Sequence, residues 1–378
     1  MENIVFGIDF GTAYSSISYV DKYDKTVVFQ SFEGYKQTPS VVYFDKNKVI
    51  VGEEAKEFSA IEPEKVVSFI KREIGNEAEY KRPTKFPDEL NPSEIAAYIL
   101  KKIEKDANDC LMLPEKIKKV VLTCPAYYDS DKRKYLKLAA EIAGLEVVYM
   151  INEPTAAVIA YNNTKSDEEK FYMVYDLGSE TLDVTIIRVK NSVINIIAYN
   201  SDKNLGCTNW DIALAKYLLN KFNEEHNTSY DIDFDPILKN TLLLLAEKKK
   251  KQLASLDAVK VKVDYEGKSA LIEVTHDIFN GLTEHFLDAT IDKTKEVLDI
   301  AKQKGFYKID EVLLIGGGSR MPQVKTKIDK EFNFDSKLFD PEECIAKGAA
   351  IYEKNDFMER DMIEDKSERV VMCYSFVV

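Results

Sequence analysis

The 378-residue chain has five cysteines, three histidines, one tryptophan and no long apolar run, and each shortage removes a class of function. Cys110, Cys124, Cys207, Cys344 and Cys373 form no C-x-x-C pair, and the histidines are scattered, so zinc-ligand spacing is absent. Free thiols in a reducing cytosol are the expectation, which places the protein in the cytoplasm. No apolar segment approaches the roughly 18 residues that cross a bilayer, and the run at 242–246 is far too short. Neither a charged region nor a long apolar stretch precedes Ile4, so no secretory leader is expected. Positive charge is also in short supply. Lys and Arg number 52 against 65 Asp and Glu, and the formal charge of −13 argues against nucleic acid or an anionic membrane as a general partner.

What is present is an ordinary globular composition, 45% apolar and 31% charged, on a chain long enough for two domains with their own cores. Residues 3–50 read as short strands with turns. The stretch 53–74 has helical spacing broken at Pro63, and 76–91 is a polar, proline-bearing surface loop. Helices are expected from Pro92 and Ser130, strands at 118–124 and up to 151, and a further helix opening on Glu153-Pro154. The second half starts with three strands at 171–176, 181–190 and 193–200. Helices at 209–225 and 237–256, a hairpin around Glu266-Gly267, a helix at 277–304, a strand into Gly316 and a last helix at 342–354 follow. Mixed strands and helices, twice over, indicate a two-lobed α/β protein. The polar run at 162–170 marks the boundary between a first lobe (1–164) and a second (165–340), with a C-terminal helix (341–356) and a tail (357–378).

The two halves share one device. VFGIDFGTAYSSISYV (5–20) and YMVYDLGSETLDVTIIRV (172–189) each carry an apolar run into an acid, a turn through glycine, and a second apolar run. Asp9 and Asp176 are 167 positions apart, as are Gly11 and Gly178. A strand-end carboxylate suits Mg²⁺ held through water, and the turn aims backbone N–H groups at phosphate oxygens. Two such hairpins facing each other would clamp one nucleotide between two lobes.

Seven motifs occur in order: GIDFGTAYS, KREIG, CPAYYDSDKR, INEPTAA, YDLGSETLD, LLIGGGSRMP and KGAA. Together they resemble the nucleotide-binding domain of the DnaK-type 70-kDa heat-shock chaperones, over residues 1 to about 355. The resemblance implies an actin-like ATPase fold, two lobes each built on a mixed five-stranded sheet, with ATP or ADP and Mg²⁺ in the cleft and K⁺ as a possible second cation. It implies that Asp9, Asp176 and Glu153 hold Mg²⁺ through water, and that Glu153 also accepts a proton. Lys71 would reach the γ-phosphate and the attacking water, as phosphoryl transfer requires. Gly11, Thr12, Ala13, Gly178, Ser179, Glu180 and Thr181 fall on the phosphate turns, and Tyr14 and Asp183 match a monovalent-cation site. Gly206, Glu247, Lys250, Lys251, Gly316, Gly317, Gly318 and Arg320 match the adenosine pocket. Pro125 and Arg133 match an interlobe switch. Implied partners are the nucleotide and a co-chaperone or client protein, and the protein is expected to be a monomer.

Several residues depart from the family pattern. Ser179 and Glu180 stand where the family has glycines. At ~4 Å, like charges repel by about 4 kcal/mol at an effective dielectric of 20, so an inward Glu180 would oppose a γ-phosphate. An outward Glu180 would cost only backbone reach. Ala13, Cys207, Lys251 and Ala254 replace a hydroxyl residue, a glycine, an arginine and a serine, which suggests weakened affinity or slow turnover. The 76–91 segment is shorter than its family counterpart, so the upper part of the first lobe is expected to be reduced. The tail lacks the family's acid–leucine linker, and its apolar end would suit a strand seeking an edge. Two readings follow: a slow chaperone-type ATPase whose lobes close on nucleotide, or a degenerate, non-hydrolysing nucleotide sensor or scaffold of the same fold. INEPTAA and KREIG match neither a sugar kinase nor a filament-forming actin relative.

Overall fold

Each acidic hairpin leads the central strands of its own sheet. The computed structural model describes residues 4–46, 48–81, 90–111, 116–162, 168–354 and 358–361. In the first lobe β1 (Phe6–Phe10) pairs antiparallel with β2 (Tyr14–Val20), β2 with β3 (Thr26–Val28), and the two-residue β4 (Thr38–Pro39) also joins β2. A small sheet of β5 (Val41–Asp45), β6 (Lys48–Val51) and β7 (Val66–Ser68) stands above, with α1 (Glu53–Phe58) against it. After α2 (Pro92–Leu111), β8 (Lys119–Cys124) pairs parallel with β1. α3 (Ser130–Ile142) returns the chain to β9 (Glu146–Asn152), parallel to β8, and α4 (Glu153–Tyr161) follows directly.

The second lobe repeats this order. β10 (Lys170–Leu177) pairs antiparallel with β11 (Leu182–Lys190), and β11 with β12 (Val193–Asp202). Helices α5 (Cys207–His226) and α6 (Pro236–Leu253), the hairpin β13 (Ala258–Tyr265) and β14 (Lys268–Thr275), and α7 (His276–Gln303) come next. β15 (Glu311–Ile315) then pairs parallel with β10, and after α8 (Pro322–Phe332) the short β16 (Lys337–Leu338) pairs parallel with β15. The chain closes with α9 (Cys344–Lys354) and β17 (Met358–Asp361), which pairs parallel with β12. Strand order β3-β2-β1-β8-β9 therefore matches β12-β11-β10-β15-β16, and each sheet exceeds the expected five strands by one short or terminal strand. The duplication holds to the residue: Asp9 faces Ser16 across its hairpin and Asp176 faces Asp183, each pair 167 positions from its counterpart.

Two departures from the sequence reading lie in the first lobe. The expected helix over 53–74 ends at Phe58, and only two short turns, Pro63–Lys65 and Ile70–Glu73, remain of its second part. Val66 and Val67 instead form β7 against β5, because β-branched residues fit a buried pleated edge better than a helix. The segment 82–89, and with it half of the expected loop, lies outside the described residues, as do most of the interlobe run (163–167) and the apolar end of the tail.

The two lobes share packing at their base. Each lobe has its own core, around Ile95, Ile99 and Leu100 in the first and Trp210, Leu214 and Phe222 in the second. A third core joins them, combining Val121 and Ala156 with Val174, Leu313 and Ala349. Helix α9 approaches α4 so closely that a β-carbon on Gly348 would stand 1.7 Å from the Ala156 carbonyl oxygen. Only glycine fits there, which accounts for the small-residue face of that helix.

Candidate active site

The two hairpin turns open onto one cleft of about 690 Å³ between the lobes, within the usual range for a small-molecule site. Asp9, Gly11, Thr12, Ala13 and Tyr14 line it from β1 and the turn after it. Asp176, Gly178, Ser179, Thr181 and Asp183 line it from the second hairpin. The turns are built alike but braced differently. Ser40 donates from its N–H to the Ala13 carbonyl (2.8 Å) and from Oγ to the Gly11 carbonyl (2.9 Å). In the second hairpin the Gly178 N–H closes on the Thr181 carbonyl (2.9 Å), and Thr181 Oγ1 donates to Asp183 Oδ2 (3.1 Å).

Between the turns lies a buried ion pair, Lys71 Nζ to Glu153 Oε1 at 2.6 Å, with both residues under 10% exposed. Phe69 sits just before Lys71 with φ of 61°, a left-handed conformation that is rare for an aromatic residue. It swings the chain off β7 so that Lys71 enters the cleft. Glu153 takes the first position of α4, directly after Asn152, where the helix dipole favours an acid. Asn152 Oδ1 accepts from Arg133 Nη2 (2.6 Å), and Arg133 Nε donates to the Tyr128 carbonyl (3.0 Å). Arg133 thus lies behind the cleft wall, whereas Pro125 faces the cavity.

The electrostatics are those of an acidic cluster short of positive charge. Burial, then Glu153, pushes the Asp9 carboxyl up to about 7, with Lys71 pulling the other way. Burial lifts Asp176 well above the usual carboxylate range, and Asp183, Glu153 and Asp9 add to the rise. Asp183 rises to about 6, chiefly through burial, against hydrogen bonds from Ser201 and Thr181. Burial opposes the Lys71 charge, yet Glu153 and Asp9 outweigh it and hold the ammonium above its ordinary value. Such a cluster calls for an added cation. Among the described residues no group of three acids, thiols or imidazoles is arranged to hold a metal ion by itself. Asp9, Asp176 and Glu153 offer oxygen donors, the ligand type Mg²⁺ takes alongside water and phosphate.

At the outer end of the cleft, Glu247 on α6 accepts from the Tyr14 hydroxyl (2.7 Å) and is paired with Lys56 (2.5 Å) and Lys251 (2.7 Å). Burial opposes the Glu247 charge, but Lys56 and then Lys251 hold its carboxyl down at about 2. The Tyr14 hydroxyl is therefore engaged with Glu247 and Lys56, not with Asp183, which leaves only its carbonyl for a cation shared with Asp183. Lys250 differs from its neighbours. It is buried in the wall, 2.8 Å from Asp211 Oδ2 and 3.2 Å from the Cys207 carbonyl. Gly316 and Gly317 face the cavity, and Gly316 has φ of 75° with its α-carbon pressed on Asp176, so a β-carbon would stand 2.3 Å from Oδ1. Arg320 forms two bonds to Glu342, at 2.9 and 3.3 Å.

Besides Arg133, three expected site residues do not line the cavity: Glu180, Gly206 and Gly318. Gly206 precedes α5, whose first N–H groups bond back to the second turn (Cys207 to the Gly178 carbonyl, 3.0 Å). Gly318 packs on Leu177, leaving no room for a β-carbon. Glu180 turns away and pairs with Arg72 (2.7 Å). Sequence reasoning missed Lys56, Tyr127 and Asp211, all of which line the cleft. Asp211 was detectable as an acid beside Trp210 on an apolar helix face; Lys56 carried no such mark.

Comparison with known proteins agrees with this geometry. The family model described as Hsp70 protein matches residues 5–354. The Chaperone protein DnaK of Thermotoga neapolitana is 37% identical over 360 residues, covering 93% of this chain and 59% of that relative. Those of Thermosipho melanesiensis and Anaplasma marginale are 35% and 34% identical, each over 92% of this chain and 58% and 57% of their own lengths. The chain thus spans under three-fifths of the curated relatives it matches. No helix among the described residues is long and apolar enough to cross a membrane. On the matched motifs, the duplicated fold and the shared cleft, the chain belongs to the Hsp70 family and corresponds to its nucleotide-binding domain.

Proposed function

We propose that the cleft binds Mg-ATP and Mg-ADP and hydrolyses ATP slowly to ADP and phosphate, with the lobes closing on the nucleotide. The observation that supports this most strongly is the buried Lys71–Glu153 pair, set between two duplicated phosphate turns and beside Asp9 and Asp176. Asp9, Asp176 and Glu153 would hold Mg²⁺ through water, and the ion would supply positive charge to the phosphates. The remaining roles belong to the chain's own groups. Lys71 places an ammonium where negative charge grows on the transferring phosphoryl group, the main need of this chemistry. Glu153 would accept a proton from the attacking water, and Thr12 and Thr181 would offer hydroxyls at the turns. Asp183 with the Tyr14 carbonyl is the candidate place for K⁺.

Glu247, Lys250 and Lys251 form the ribose and base wall. Lys251, Ala254 and Cys207 provide less stacking and bonding there than the family pattern, in keeping with weak affinity. The Pro125 turn and Arg133, bonded through Asn152 to the start of α4, form a path by which the γ-phosphate end could affect the outer surface. A co-chaperone or client protein is the proposed reader. Because Glu180 is paired with Arg72 outside the cavity lining, the main ground for a non-hydrolysing scaffold falls away. Single-turnover hydrolysis of ATP with Mg²⁺ and K⁺ tests the proposal. Phosphate release from the bound nucleotide is expected, and binding without any release would overturn the ATPase reading in favour of a sensor.

A further inference from the structure

The same turn that sends Lys71 into the cleft sends Arg72 out across its rim. Arg72 Nη1 donates to Glu180 Oε2 at 2.7 Å and Nη2 to Asn204 Oδ1 at 2.8 Å. Arg72 belongs to the first lobe, whereas its two acceptors come from separate loops of the second. Those loops are themselves tied, because the Thr208 N–H donates to the Ser179 carbonyl at 2.8 Å. Lys203, next to Asn204, stands 4.9 Å from the ring centre of Tyr127 on the first lobe, a second crossing at the same place. The Glu180 side chain is only 11% exposed, and its other oxygen is buried without a hydrogen-bond partner, so the carboxylate is committed to this contact. In the first hairpin the corresponding residue, 167 positions earlier, is Ala13, which has nothing to reach across with.

We propose that Arg72 and Glu180 form an interlobe latch at the phosphate end of the cleft, which sets how fast a bound nucleotide leaves. The latch rests on the nucleotide-cleft reading above. Parting the lobes enough to free a nucleotide separates the Lys71 turn from the second phosphate turn, and this ion pair must break for that to happen. It opposes the clasp of Lys56, Tyr14 and Glu247 at the outer end, so the cleft is fastened at both ends. Glu180 is thereby a positioning residue that acts on the lobes, not a charge directed at the γ-phosphate. A rim-exposed arginine makes the latch salt-sensitive, since the Debye length falls from about 10 Å at 0.1 M salt to about 3 Å at 1 M.

The test is stopped-flow release of fluorescent mant-ADP and mant-ATP from wild type, Glu180→Gln, Arg72→Gln and the exchanged pair Arg72→Glu with Glu180→Arg. Each single variant is expected to speed release of both nucleotides by about fivefold, as loss of one partly exposed ion pair allows. The exchanged pair should return to within about twofold of wild type, and salt should speed release from wild type but not from the singles. Release unchanged in the single variants would overturn the latch. Slower release of mant-ATP alone in Glu180→Gln would also overturn it, by showing that the carboxylate faces the γ-phosphate. A second arm needs no nucleotide: small-angle scattering of the free proteins should give a larger radius of gyration for Glu180→Gln than for wild type. If neither mant nucleotide binds wild type, the functional reading fails, and the scattering comparison still decides the latch.

Discussion

Replacing Lys71 with methionine keeps the length of the side chain and removes the ammonium that faces Glu153 and Asp9. The pair is buried at 2.6 Å, and stripping one partner from such a pair costs about 3–5 kcal/mol, because the other charge is left desolvated. Part of that cost is avoidable. Lys71 lowers the Asp9 carboxyl, which already stands at about 7, so its loss lets Asp9 keep a proton at neutral pH. The variant should therefore lose stability most at alkaline pH and least at acid pH. Catalysis has no such escape, since a proton on Asp9 does not replace a cation beside the transferring phosphoryl group. Removing one preorganised electrostatic donor lowers turnover by about 10²–10³-fold, or ~2.7–4 kcal/mol. Single-turnover phosphate release, measured beside mant-ADP affinity, separates the two effects. The expected result is a rate loss of about that size with ADP affinity within about tenfold of wild type. A rate within about tenfold of wild type, or an equal loss of ADP affinity, would refute the assignment of Lys71 to the transition state.

Three further outcomes follow from the same geometry. The folded Asp9 value of about 7 lies above its ordinary 3.8, so the stability it contributes is full below about pH 4 and lost as pH rises through 7. Mg²⁺ selects the deprotonated form, so Mg-ADP affinity should rise by about tenfold from pH 6 to pH 8; Asp9→Asn should reduce both slopes to the part left by Asp176 and Asp183, and a slope unchanged in that variant would remove Asp9 from the metal site. Lys251→Arg should tighten adenosine binding by about twofold to fivefold through stacking that an ammonium does not provide, read by calorimetry, and weaker binding would show that Lys251 is held by Glu247 away from the base. Gly348→Val should cost at least about 1–3 kcal/mol in urea unfolding through overpacking on the Ala156 carbonyl, and a loss under about 0.5 kcal/mol would mean that α9 can shift outward.

Much of the fold was legible because its chemistry is local. The 167-residue repeat of acid and glycine survives in structure as matched hairpins with matched register, since both features depend only on strand period and turn chemistry. Most helices began where proline or a capping acid stood, as Asp129 does for α3 and Asp235 for α6. The failure at 53–74 was of a different kind. Helical spacing there competed with Val66 and Val67, and the free edge of β5 decided the outcome, which no local pattern records.

The site divides along the same line. Residues on the turns and at helix starts could be placed because a strand end or a cap fixes where their side chains go. The resemblance assigns Lys250 to the adenosine pocket, but its partner Asp211 lies 39 positions away, and whether it faces a nucleotide or the wall depends on that bond. Glu180 shows the limit most clearly. Its position in the turn fixed its neighbours and so suggested a charge beside the γ-phosphate. Its direction was set by Arg72, 108 positions earlier, in a segment whose left-handed Phe69 no periodicity signals. A carboxylate that looks like damage to a phosphate turn is thus engaged, through one of its oxygens, by the opposite lobe. The same substitution that removes a glycine from one wall of the cleft gives that wall a hold on the other.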